Sequence, residues 1–327
     1  MYNKNEIPKG ELFSELKFIH TAQKNYTAQN LEKIFKDGGA SVFPDARSQE
    51  VVRAIRNSIN SKEPLSVIRI GDGEGNLLSY LSHAETPFLD NMAATSIINA
   101  QQDRFIPSEA RILEIKRMMR SAIFDGDIIG IRGLDSFSSP SENNENKKNK
   151  SNILSSPVTL QKVSADPRGV SGYWRSIDYI ANMAKSGALN GKMITSAHLY
   201  YAILRGISIL RGHVKNLVLI SNRPRAIDKI SNLVSPKELR VILVGVREKN
   251  SSLPSSPKFL QEVEQQLPQE MAGELCLIGA GPWSELYCSM VKKRGGVGVD
   301  FGSGFDLAEG RLTRPIHKIM TKLDFNT

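Results

Sequence analysis

Apolar positions along the chain fall into alternating short runs and helical spacings. From Ser48 onward, Val51, Val52, Ile55 and Ile59 recur at near-helical intervals. Pro64 then introduces Leu65-Ser66-Val67-Ile68-Arg69-Ile70, whose β-branched content predicts a strand running into a glycine-rich turn. A basic helix is expected around 109–122, followed by a second strand at Asp127-Ile128-Ile129-Gly130-Ile131. The second half alternates more regularly. Helices are expected near 171–186, 198–210, 224–233, 257–266 and 283–293, and strands at 192–195, 216–220, 240–244, 274–278 and 297–300. Strands alternating with helices of about ten residues predict an α/β fold, a Rossmann-like, mostly parallel sheet with helices on both faces.

Two stretches stand outside this rhythm. Residues 1–47 are polar and helix-leaning, with Gly38-Gly39-Ala40 and Pro44 near their end, and read as an N-terminal helical appendage to a catalytic domain at 48–327. Residues 135–157 are rich in Ser, Asn and Lys. Such a segment buries too little apolar surface to offset its ordering entropy, so a flexible loop that can act as a lid is expected.

Composition narrows the class. Of 327 residues, 40% are hydrophobic and 24% charged, ordinary values for a globular protein. No run approaches the roughly 20 apolar residues needed to cross a bilayer. The opening MYNKNEIPKGELFSELKF lacks an apolar stretch with a cleavage site, so a cytoplasmic location is expected. The two cysteines, Cys276 and Cys288, lack zinc-ligand spacing and read as small buried hydrophobes. The net charge of +9 asks for an anionic partner: nucleic acid, an anionic membrane surface or an anionic small substrate. Lys and Arg are scattered, with no basic helix interleaved with aromatics, so nucleic acid is not expected. The most basic short tract, Lys147-Lys148-Asn149-Lys150, reads as a solvated loop. Peripheral contact with the inner face of the membrane stays open.

In parallel sheets ligands bind beyond the carboxyl ends of the strands, so the residues after each strand are where chemistry is expected. The first such place carries Gly71-Asp72-Gly73-Glu74-Gly75-Asn76. Asp72 and Glu74 can approach one hard cation, Mn²⁺ or Mg²⁺, which takes one or two carboxylates and fills its shell with water and substrate phosphate. Arg69 can pair with a phosphate or with one of these carboxylates. The plainer alternative is a strand-to-helix turn in which Asp72 caps a helix. The pattern is neither a P-loop nor Gly-x-Gly-x-x-Gly.

The segment Arg69-Ile70-Gly71-Asp72-Gly73-Glu74 resembles the signature of bacterial glycosyltransferases of the GT-D fold. The similarity extends to Ile278-Gly279-Ala280-Gly281-Pro282 and to the strand end Asp300-Phe301-Gly302-Ser303-Gly304-Phe305-Asp306. Together these stretches span about 48 to 310, the middle being supported by element order. The resemblance implies that Asp72 and Glu74 hold the divalent ion on the diphosphate of a nucleotide-sugar donor. It further implies transfer to a glycan, lipid-linked or other hydroxyl acceptor, with UDP-sugars favoured, in surface polysaccharide or glycoconjugate synthesis.

Other strand ends supply candidates for the donor site. Gly281, Pro282 and Trp283 open a helix after an apolar strand, and Trp283 either stacks on a base or sits in the core. Asn222, Arg223 and Arg225 put two guanidinium groups at the sheet's mouth, where each can grip a diphosphate. Ser196 either caps a helix or contacts the donor, and His198 either hydrogen-bonds a ligand or is structural. Asp300 and Asp306 flank the last turn as candidates for the acceptor base or a metal neighbour, Asp306 ahead as base because it lies farther into the loop, while Asp300 can equally cap the turn. A metal-dependent phosphohydrolase using Asp72 and Glu74 to activate water, and a nucleotide-binding scaffold without turnover, remain as alternatives. Ser-His-Asp hydrolysis fits less well, because the Gly-x-Ser-x-Gly elbow is missing.

Overall fold

The computed structural model describes residues 6–101, 107–134, 157–244 and 256–324. Almost all of the expected loop at 135–157, including the Lys147 to Lys150 tract, lies outside these. The described strands are β1 (Ser41–Phe43), β2 (Leu65–Ile70), β3 (Ile128–Ile131), β4 (Met193–Ser196), β5 (Asn216–Ser221), β6 (Glu238–Leu243), β7 (Leu275–Ile278) and β8 (Val297–Asp300). They form one eight-stranded sheet in the order β1-β4-β3-β2-β8-β7-β5-β6, with every pairing parallel.

Strand periodicity sorts the core into two layers. Ile68, Ile70, Ile129, Ile131, Ile194, Val218, Ile220, Cys276 and Ile278 pack on one face. Val67, Ile128, Leu217, Leu219, Leu275, Leu277, Val297 and Val299 pack on the other. Runs buried on both faces are what an all-parallel sheet requires, which is why these strands read as continuous apolar segments. Both cysteines are free and buried. Among the described residues no helix is long and apolar enough to cross a membrane.

Helices α1 (Lys9–Asn25) and α2 (Ala28–Asp37) belong to the first layer, where Ile19, Leu31 and Phe35 are fully buried. Helix α3 (Glu50–Ser61) lies in the second layer through Val51, Val52, Ile55 and Ile59. The N-terminal region therefore differs from the appendage expected for it. β1 is the sheet's edge strand on β4, and α1 is locked to α8 (Pro167–Lys185) by a buried ion network. In that network Arg175 donates to Glu15 of α1 at 3.0 and 2.7 Å and meets Asp90 of α5 (Pro87–Gln101) at 2.6 Å, with all three residues 0–1% exposed.

The strand order reverses direction around β2. β3, β4 and β1 lie to one side of it, and β8, β7, β5 and β6 to the other. That switch point is where an open parallel sheet leaves a crevice at the strands' carboxyl ends. From it springs the short helix α4 (Asp72–Leu78), which packs closely on α8. The approach depends on glycine at both contact points. A Cβ on Gly172 would lie 2.0 Å from the Asp72 carbonyl oxygen, and one on Gly75 would lie 2.3 Å from the Gly172 carbonyl oxygen. Asn76, fully buried, donates its amide to the carbonyls of Asp72 (3.0 Å) and Arg168 (2.8 Å), stitching the two helices together.

Candidate functional site

The floor of the crevice is an ion pair between β2 and β8. Arg69 donates from Nε to Asp300 Oδ2 at 2.8 Å and from Nη2 to Oδ1 at 3.0 Å, with Nη1 directed at the Ala197 carbonyl (3.4 Å). Its guanidinium also lies 5.3 Å from the centre of the Tyr200 ring. Burial alone pulls the Arg69 pKa down, but the Asp300 charge and hydrogen bonds, helped by Tyr200 and Glu285, carry it above its ordinary value. The fork needs room at the turn beyond β8. Gly302 sits at φ +41°, and a Cβ there would be 1.9 Å from Arg69 Nη2. The carboxylate that Arg69 meets is that of Asp300 on β8, not that of Asp72 or Glu74, the two open to it in the sequence.

Above this floor stand Asp72 and Glu74, the first and third residues of α4. Glu74 Oε2 accepts from the Gly71 backbone N–H at 2.8 Å and closes the helix start, so Gly71 rather than Asp72 occupies the capping position. Asp72 is 30% exposed, and its ionic neighbour is Arg132, with Nη2 3.7 Å from Oδ1. Carboxyl groups crowd together here. Burial, then the charges of Asp72 and Asp300, raise the Glu74 pKa against the pull of its backbone hydrogen bonds. Glu285 in the first turn of α12 (Ser284–Lys293) is 1% exposed, and its Oε2 has no hydrogen-bond partner among the described residues. Burial, then Glu74 and Asp300, push its pKa well above the ordinary carboxyl value.

A hydrogen-bonded line runs along one wall. Arg132 Nη1 lies 3.3 Å from His198 Nε2, His198 Nδ1 lies 3.2 Å from the Tyr200 hydroxyl, and that hydroxyl lies 3.2 Å from His317 Nε2 on α14 (Pro315–Asp324). A guanidinium only donates, so His198 Nε2 accepts, the ring proton sits on Nδ1, and Tyr200 passes its own proton toward His317. Burial, then Arg132 and Arg69, hold the His198 pKa well below its ordinary value and keep the ring neutral. Ser196 is fully buried and its hydroxyl accepts from the His198 N–H at 3.0 Å, which serves the start of α9 (Leu199–Gly206).

The remaining candidates are spread along the sheet's mouth. Arg223, just before α10 (Pro224–Val234), donates to Asp306 Oδ1 at 2.7 Å, and Thr313 donates to Asp306 Oδ2 at 3.0 Å. Asp306, on α13 (Gly304–Ala308), thus clamps the exit of β5 to the chain before α14. Arg225 is exposed and Asn222 half-buried. Gly281, at φ +59°, and Pro282 form a single 3₁₀ turn, and Trp283 is 2% exposed within the first core layer. Of the two readings open for Trp283, the structure gives the core.

Sequence reasoning missed Arg132, Glu285, Tyr200, His317 and Gly172. Arg132 carries the same signal that picked out Arg223, a cation directly after a strand. Glu285 carries none, being one polar residue in an ordinary helical turn. Among the described residues no group of three or more His, Cys, Asp or Glu side chains is close enough to hold a metal ion. Asp72 and Glu74 offer the hard carboxylate oxygens that Mn²⁺ or Mg²⁺ takes, the Asp72 carboxylate partly exposed and one Glu74 oxygen engaged by the Gly71 N–H, so a cation there would draw the rest of its shell from water and phosphate. Set against known proteins, the chain matches no family model, no curated protein and no solved structure.

Proposed function

We propose that this protein is a metal-dependent glycosyltransferase of the GT-D type, taking a nucleotide-diphosphate sugar, UDP-sugars foremost, as donor. The observation that carries the reading is the Gly71 to Glu74 turn. It leaves β2 at the switch point of an all-parallel sheet, with the Asp72 carboxylate partly open and Arg132 beside it. A divalent ion bound there supplies charge neutralisation at the leaving diphosphate. Asp72 and Glu74 hold it. The Arg69–Asp300 pair joins β2 to β8 beneath it, and this reading assigns Arg132, beside Asp72, and Arg225, at the exit of β5, to phosphate oxygens.

Of the two candidate bases, Asp300 is 2% exposed at its side chain and committed to Arg69, whereas Asp306 is 16% exposed. Asp306 therefore takes the acceptor's proton in this reading, once Arg223 turns from it toward the ligand. Unchanged turnover of Asp306→Asn at saturating acceptor removes Asp306 from that role. The acceptor is a glycan or lipid-linked hydroxyl, and the chain works in the cytoplasm with its +9 charge drawn to the inner face of the membrane.

The test is a turnover assay with Mn²⁺, a panel of UDP-sugars, and acceptors presented singly. UDP release that depends on both acceptor and metal supports transfer. Phosphate or nucleotide release without acceptor favours a phosphohydrolase. Binding without turnover across the panel favours a scaffold.

A further inference from the structure

Arg132 is held differently from the other cation at the crevice. Arg69 and Asp300 form a two-point fork at 2.8 and 3.0 Å with one partner fully buried. Arg132 meets Asp72 through one nitrogen at 3.7 Å, beyond hydrogen-bond range, and the two side chains are 29% and 30% exposed. A contact of this kind is loose and open to exchange. Its second anchor is firmer in kind: Nη1 faces His198 Nε2 at 3.3 Å, and the neutral His198 ring is fixed as an acceptor by Tyr200 and His317 behind it. Arg132 is thus tethered at one end and free to change partner at the other.

We propose that Arg132 is a placeholder and clamp: in the ligand-free protein its guanidinium stands beside Asp72 where a divalent ion binds, and on loading it turns to the diphosphate that accompanies the ion. The inference rests on the reading of Asp72 and Glu74 as a metal pair. Two cations cannot share Asp72 without mutual repulsion, so entry of the ion expels the guanidinium. Arg132 then has one suitable anion within reach of its tether, the phosphate oxygens on the ion, for which its planar fork is well matched. Its effects on the two ligands are consequently opposite in sign. It competes with the bare ion and cooperates with the nucleotide.

The experiment measures Mn²⁺ binding by electron paramagnetic resonance, then UDP binding by calorimetry at saturating Mn²⁺, for wild type, Arg132→Ala and Arg132→Lys. Arg132→Ala is expected to bind Mn²⁺ alone several-fold more tightly and UDP about tenfold more weakly, the worth of one charge-assisted contact. Arg132→Lys retains a cation beside Asp72 but loses the fork, so its Mn²⁺ affinity stays near wild type while UDP weakens. If Arg132→Ala binds Mn²⁺ no more tightly than wild type, or UDP equally well, the placeholder role is wrong and the metal pair stands. If wild type itself binds neither Mn²⁺ nor UDP, the metal-site reading fails and takes this inference with it.

Discussion

Replacing Gly172 by alanine tests how the site is seated. The Gly71 to Glu74 turn is not a free loop, because the main chain of Asp72 rests directly on α8 at Gly172. The new methyl would stand 2.0 Å from the Asp72 carbonyl oxygen, 2.8 Å from its carbonyl carbon and 2.5 Å from the Asn76 amide nitrogen, where ordinary contact begins at 3.4 Å. Two of these atoms are backbone, so no rotamer change relieves the clash, and α4 must back away from α8 by about an ångström. Overpacking of this kind costs about 1–3 kcal/mol. At about 2–4 °C per kcal/mol for a chain of this order, the melting temperature falls by about 2–12 °C. The functional loss is larger in proportion, since displacement by about 1 Å costs on the order of 100-fold where geometry is demanding. The assay pairs thermal unfolding with UDP binding at saturating Mn²⁺, using Gly187→Ala as a control. Gly187 lies beyond the end of α8, at φ +76° with no atom near its missing Cβ, so its substitution strains the backbone without moving α4. Gly172→Ala should weaken Mn²⁺-dependent UDP binding at least tenfold and Gly187→Ala should not. Equal, small effects on binding from both would refute the claim that α8 positions Asp72.

Arg175→Met leaves Glu15 and Asp90 buried without their cation, a change that costs about 3–5 kcal/mol. Urea unfolding should show this loss in the main transition, and a main transition within about 1 kcal/mol of wild type would contradict the cost assigned to the buried ion network. Glu285→Gln tests the buried carboxyl. Because the folded protein holds this proton above the ordinary value of 4.5, the stability it contributes is full below pH 4.5 and is lost as pH rises toward the folded pKa. The glutamine variant has no proton to lose, so its advantage in melting temperature should be near zero at pH 4 and grow toward neutral pH. Parallel curves for the two proteins would contradict the assignment.

Most of the sheet was legible because its strands are buried on both faces and read as uninterrupted β-branched runs. β1 was not, since three half-exposed residues form no pattern and become a strand only by pairing with β4. Helix α5 escaped notice because Phe88-Leu89-Asp90-Asn91-Met92-Ala93-Ala94 is apolar on too many sides to show a helical stripe. The N-terminal region looked detachable for a related reason. The groups that hold α1, Arg175 on Glu15 and the Phe88 and Leu89 N–H groups on Glu11, come from 77 to 160 residues farther along the chain, and one-dimensional spacing carries no trace of them. At the site, glycine spacing and strand-end position led to Asp72, Glu74 and Asp300. The sequence could not say that Arg69 and Asp300 neutralise each other, or that Asp306 is shared between Arg223 and Thr313. Those are tertiary pairings between residues 231 and 83 positions apart.

The central claim is that Asp72 and Glu74 hold a divalent ion on a nucleotide diphosphate. Calorimetric titration of UDP, GDP and their sugars, with Mn²⁺ and again with chelator, into wild type and the Asp72→Ala/Glu74→Ala double variant tests it most directly. The account predicts binding of one nucleotide class that requires Mn²⁺ and disappears in the double variant, whose melting temperature falls by no more than the loss of the Glu74 cap, about 1–8 °C. Binding that survives both chelator and the double substitution, or no binding to any nucleotide, would contradict it.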